Sequence, residues 1–228
     1  MFFQVIDILQ DVDEWCMDAL NGRNTPFLTS FMTLYTGKLI WGFLYMSIAL
    51  VLFINLKIKH ALAIFISIVL VIVFADQLVA SLLRPIIERP RPCNPESPVY
   101  HMIFKTRTSG GYGFPSCHAA NSFGLAMVVY YIFRKRYLTL FLLFWALVNA
   151  YTRIYLGMHY PGDILVGFIV GWMAAFFAHS LYKLFIKYIY KDSRYRTLSD
   201  VNMKFIWLPI SIGLCTIVTI ILVSLFRA

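Results

Sequence analysis

The 23 residues from Ala61 to Leu83 carry a single charge, Asp76. At about 1.5 Å of rise per residue, such a run crosses a bilayer as a helix, a form that pairs its own backbone groups where no water can. Five more apolar runs accompany it, at about 39–56, 119–133, 137–152, 163–186 and 205–226. Those at 119 and 137 are short, so their ends draw on the adjoining loops. A chain that is 60% hydrophobic, 17% aromatic and only 14% charged is outside the range of an ordinary water-soluble domain. The expected fold is all-α: one polytopic membrane bundle of about six transmembrane helices using the whole of residues 1–228.

A net charge of +9 suggests a nucleic-acid partner, but the placement of the charges argues against one. Lys57 and Lys59, then Arg134, Lys135 and Arg136, then Lys183, Lys187, Lys191, Arg194, Arg196 and Lys204 fall in or beside alternate connections, with only Asp192 and Asp200 among them. The positive-inside rule turns those connections toward the cytoplasm. The N-terminal segment, the 84–118 loop, the 152–163 loop and the C-terminus then face outward, with eight of the eleven acidic residues. From Met1 to Gly37 there is no basic start followed by an apolar core, so no cleavable signal peptide is expected. Instead Asp7, Asp11, Asp13, Glu14 and Asp18 alternate with Val5, Ile6, Ile8, Leu9, Val12 and Trp15, the pattern of an amphipathic helix lying at the interface. Four scattered cysteines make neither a disulfide framework nor a zinc site. Cys93 and Cys117 share the outer loop, which leaves a bond between them open.

Three clusters on the outer side carry chemistry. Arg84-Pro-Ile-Ile-Glu-Arg-Pro-Arg-Pro ends the second span, and its prolines predict an extended, stiff support for the guanidiniums of Arg84 and Arg91. Such planar forks suit a phosphate. A basic stop at a membrane edge is the plainer reading, but that belongs on the cytoplasmic side. Pro115-Ser116-Cys117-His118 opens the third span. Ser116 is a good N-cap, and the amides of Cys117 and His118 are unpaired donors at a helix start, where anions bind. Thr152-Arg153 is followed by His159 and by Pro161-Gly162-Asp163. Pro161 suits a first helical turn and Asp163 falls about one turn from His159, close enough to fix its tautomer and leave the other ring nitrogen free to attack. Asp76, two helical turns before Arg84, either supports the site through Arg84 or a water, or is satisfied by a neighbouring helix. The 93–114 loop, with Tyr100, His101, Lys105 and Arg107, either covers the site or is solvated.

Taken together, the clusters resemble the type 2 phosphatidic-acid phosphatase superfamily, whose pattern is Lys-x6-Arg-Pro, Pro-Ser-Gly-His and Ser-Arg-x5-His-x3-Asp. Every internal spacing is kept, while Arg84 replaces lysine, Cys117 replaces glycine and Thr152 replaces serine. The resemblance implies that His159 is the nucleophile, Asp163 its support and His118 the acid and then base. It implies that Arg84, Arg91, Ser116, Cys117 and Arg153 hold the phosphate. His118, His159 and Asp163 also read as a facial metal triad, but three arginines aimed at one volume favour an anion, so neither metal nor cofactor is expected.

The expected partner is a lipid of the surrounding bilayer: undecaprenyl diphosphate, lipid A, phosphatidylglycerol phosphate or phosphatidic acid, cleaved through a phosphohistidine at the periplasmic face of a bacterial inner membrane. The alternatives are phosphotransfer to another lipid or sugar and, more remotely, an anion transporter.

Overall fold

The computed structural model describes residues 2–22, 24–190, 198 and 201–228, with residues 2–7, 189 and 190 by backbone alone. The side chains of Val5, Ile6 and Asp7, and the charges at Lys191, Asp192, Arg194, Arg196 and Asp200, lie outside the described residues. Nine α-helices and no strand are found among the described residues. They are α1 (Phe2–Asn21), α2 (Pro26–Tyr35), α3 (Gly42–Asn55), α4 (Ile58–Gln77), α5 (Arg84–Ile87), α6 (Cys117–Phe133), α7 (Arg136–Tyr155), α8 (Pro161–Phe185) and α9 (Leu208–Arg227).

All six apolar runs form helices. Four, Ile58–Ile87, Arg136–Tyr155, Pro161–Tyr188 and Leu208–Arg227, are long and apolar enough to cross a membrane, and α2 with residues Leu39–Asn55 makes a fifth if that pair, bent by 65°, counts as one span. The run at 119–133 is the 17-residue α6, whose ends are set by Ser116 and by Arg134 in a left-handed conformation. It is buried on most sides and has little lipid-facing surface to cover. Exposed side chains such as Phe144, Trp172, Phe176 and Leu222 form the outer surface of the bundle, as a lipid solvent requires.

Lipid tails are as apolar as the helices, so close contact rather than water exclusion holds the bundle together. Gly167 and Gly171 of α8 meet α6 at Ser116, Ala119, Ala120 and Gly124, and a Cβ on Gly167 would lie 2.6 Å from the Ser116 carbonyl oxygen. This contact sets the start of α6 beside the start of α8. Between α4 and α5, residues Leu78–Leu83 form a π-helical turn that continues the helix into Arg84. The proline-rich segment therefore stays helical through Ile87, with Pro85 in the turn that follows the π-helical stretch. It becomes extended only after Glu88, which closes α5 with a φ of 50°.

The amphipathic α1 is a helix whose apolar side faces away from the protein. Ile8, Leu9, Val12 and Trp15 are more than half exposed, whereas Asp13, Met17 and Asn21, four residues apart, are buried against the protein. Asn21 donates to the carbonyls of Ile154 and Tyr155 at 2.8 and 2.9 Å and accepts the Phe104 N–H at 2.7 Å. This pins α1 to the end of α7 and to the 93–114 loop. The loop is a folded cap, with Cys93, Asn94, Val99 and Ile103 buried.

Candidate active site

Each cluster arrives at one end of the bundle on a different element. Ser116 caps α6, its hydroxyl oxygen accepting the Ala119 N–H at 3.4 Å, and its own N–H donates to the Asp163 carbonyl at 3.0 Å. Tyr160 is extended before Pro161, so α8 starts abruptly and Asp163 sits in its first turn, fully buried. Asp163 Oδ2 lies 3.2 Å from His159 Nδ1 and accepts the Tyr160 N–H at 3.0 Å. A carboxylate can only accept, so the imidazole proton is on Nδ1, which leaves Nε2 available to the cavity that the ring lines.

That cavity, of about 600 Å³, is lined by His118 and His159 and by Arg84, Arg91 and Arg153. Arg84 donates to the Pro115 carbonyl at 3.2 Å, Arg91 to the Tyr112 carbonyl at 3.2 Å and Arg153 to the Thr36 hydroxyl at 3.0 Å. Among the described residues none of the three has a carboxylate partner. Three uncompensated guanidiniums in one volume need an anion. Burial, and after it the charges of Arg153, Arg91 and Arg84, hold the His159 imidazole well below its ordinary pKa, so the ring is neutral and its lone pair free. Burial and the neighbouring Arg84 likewise lower the pKa of Arg91.

Cys117 lines the same cavity, as do Asp76 and Arg107. Asp76 accepts a hydrogen bond from Asn121 of α6 at 2.9 Å, so a neighbouring helix satisfies it. Arg107 brings the 93–114 loop to the site, while Tyr100, His101 and Lys105 do not line the cavity. Cys93 and Cys117 are both free thiols, and Cys93 is buried against Met158. Among the described residues no three His, Cys, Asp or Glu side chains are grouped so as to hold a metal ion.

Arg89 and Asp13 were not singled out by the sequence as site residues. Arg89 Nη1 donates to Asp163 Oδ1 at 3.1 Å and to Asp13 Oδ2 at 2.6 Å, and its guanidinium stacks 3.9 Å over the Tyr160 ring. Arg89 was hidden in a run where the motif spacing points to Arg84 and Arg91. For Asp13 the only signal was its spacing of four from Met17 and of eight from Asn21.

A membrane bundle whose helices and outer loop gather Arg84, Arg91, Arg107, Arg153 and two histidines around one cavity, with a buried carboxylate beside one histidine, fits a class, the membrane phosphatases. The PAP2 superfamily profile matches residues 65–187, more than half of the chain, and the chain belongs to that superfamily. A lipid A 4'-phosphatase of Bacteroides thetaiotaomicron is 47% identical over 183 residues, 78% of this chain and 81% of that protein. One from Porphyromonas gingivalis is 33% identical over 195 residues, 83% of this chain and 78% of that protein. Aquifex aeolicus LpxE has the same fold, with a TM-score of 0.58 at 24% identity over 72% of this chain and 92% of that one. A PAP2-type phosphatidylglycerolphosphate phosphatase of Bacillus subtilis does too, with a TM-score of 0.59 at 21% identity over 76% and 86%.

Proposed function

We propose that this membrane phosphatase removes a phosphate from lipid A at the periplasmic face of a bacterial inner membrane, through a phosphohistidine. The observation that carries the phosphate chemistry is the set of Arg84, Arg91 and Arg153, without acid partners among the described residues, around a cavity shared with two histidines. The choice of lipid rests on the two relatives named lipid A 4'-phosphatase.

His159 Nε2 attacks phosphorus, and the bond to the leaving sugar oxygen breaks as that oxygen takes a proton from His118. Asp163 holds the Nδ1 proton and balances the positive charge that grows on the ring. His118, now neutral, takes a proton from water, whose oxygen displaces His159 and gives inorganic phosphate. Arg84, Arg91, Arg153, the Ser116 hydroxyl and the amides of Cys117 and His118 stabilise the equatorial oxygens as charge spreads over them.

The test is phosphate release by the detergent-purified protein from lipid A, undecaprenyl diphosphate, phosphatidylglycerol phosphate and phosphatidic acid, each with EDTA, beside His159→Ala. Release from lipid A that survives chelation and disappears in the variant is the expected result. Faster release from another of the four lipids would overturn the substrate assignment. Release only when a lipid or sugar acceptor is added would replace hydrolysis by phosphotransfer.

A further inference from the structure

We propose that Asp13, in the N-terminal helix and outside the residues matched by the family profile, is a positioning residue for the catalytic pair. The inference rests on the phosphatase reading of the site. Asp13 is buried and bridges two elements: Oδ1 accepts the Gly162 N–H at 2.7 Å, and Oδ2 accepts Arg89 Nη1 at 2.6 Å. The same Nη1 gives its second proton to Asp163 Oδ1 at 3.1 Å.

The physical consequence lies in how Asp163 shares its oxygens. Oδ1 serves Arg89, and Oδ2 serves His159 and the Tyr160 N–H. An arginine beside a buried carboxylate prefers to grip both oxygens with its fork. Without Asp13, Arg89 would turn onto both and draw Oδ2 away from His159. Asp13 holds the guanidinium in a single-oxygen contact and ties the first turn of α8 to α1 through Gly162. A Cβ on Gly162 would lie 2.7 Å from Asp13 Oδ2, so an alanine there displaces the Asp13 carboxylate. The apolar face of α1 points away from the protein, so a helix seated in the lipid interface reaches the catalytic histidine through the side chains of Asp13, Arg89 and Asp163.

The test compares Asp13→Asn, Gly162→Ala, Arg89→Gln and the Asp13→Asn/Arg89→Gln pair, with Asp11→Asn on the exposed side of α1 as control. The substrates are lipid A and p-nitrophenyl phosphate. Inactivity of the wild-type protein on lipid A alone would count against the substrate assignment and leave this inference to the second ester. The substrate-free readout is the downfield His159 Nδ1–H proton resonance. Asp13→Asn and Gly162→Ala are expected to lower kcat by about 10- to 100-fold with KM nearly constant, since they misplace a reacting group rather than remove a binding one. They also shift or broaden the proton resonance. In the Arg89→Gln background Asp13→Asn adds no more than about a twofold change, because one interaction serves both residues. An unchanged kcat and resonance in Asp13→Asn would overturn the proposal. So would independent, multiplying losses in the pair, or equal losses in Asp11→Asn.

Discussion

His159 is fully enclosed, and its neutrality has a consequence for stability. In the unfolded chain it takes up a proton near its ordinary pKa of about 6.5, while in the folded protein burial and three guanidiniums keep that proton off. The unfolded state therefore binds more protons below that pH, and the folded state loses stability as pH falls through it toward the depressed folded value. The slope is at most about 1.4 kcal/mol per pH unit for this one group. Thermal midpoints in detergent between pH 8 and 5 are expected to fall more steeply for the wild type than for His159→Gln, and equal slopes would sink the idea. That Arg84, Arg91, His118, Arg153 and His159 meet at one cavity, with Asp163 beside His159, was legible because residue type and short spacing mark them. Arg89 and Asp13 were not, because their partnership spans 76 positions and has no local pattern.

Helix starts decide where those residues end up, and glycines decide how near the starts lie. Gly167→Ala would push a methyl group toward the Ser116 backbone oxygen, which cannot move without carrying the cap of α6 with it. It is expected to cost about 1–3 kcal/mol of stability and to lower kcat as well. Gly42→Ala, where nothing lies within 4 Å, should do neither. Thermal midpoints and turnover measured on both variants check this, and a Gly167→Ala protein with normal turnover would show that the two helix starts tolerate separation. The apolar runs were readable because lipid imposes length and composition on every span. The face that α1 turns inward was not, because in a bilayer the apolar stripe marks the lipid side and the protein-facing stripe sets the polar Asp13 and Asn21 on either side of Met17.

Across the whole molecule, α5, the loop after it and α7 deliver Arg84, Arg91 and Arg153 to one cavity from separate parts of the sequence. Their mutual repulsion works against the bundle that assembles them. An oxyanion that all three can grip removes that repulsion, and any ligand bound only by the folded form raises its stability, by about 2.7 kcal/mol at one hundred times its dissociation constant. Inorganic phosphate and orthovanadate, compared with chloride at equal ionic strength, are expected to raise the thermal midpoint of the detergent-solubilised protein. The shift should shrink in Arg91→Gln and Arg153→Gln and persist in Lys57→Gln at the opposite end of the bundle. A shift of the same size in all four proteins would mean that the anions act on the surface charge at large and not through the three guanidiniums.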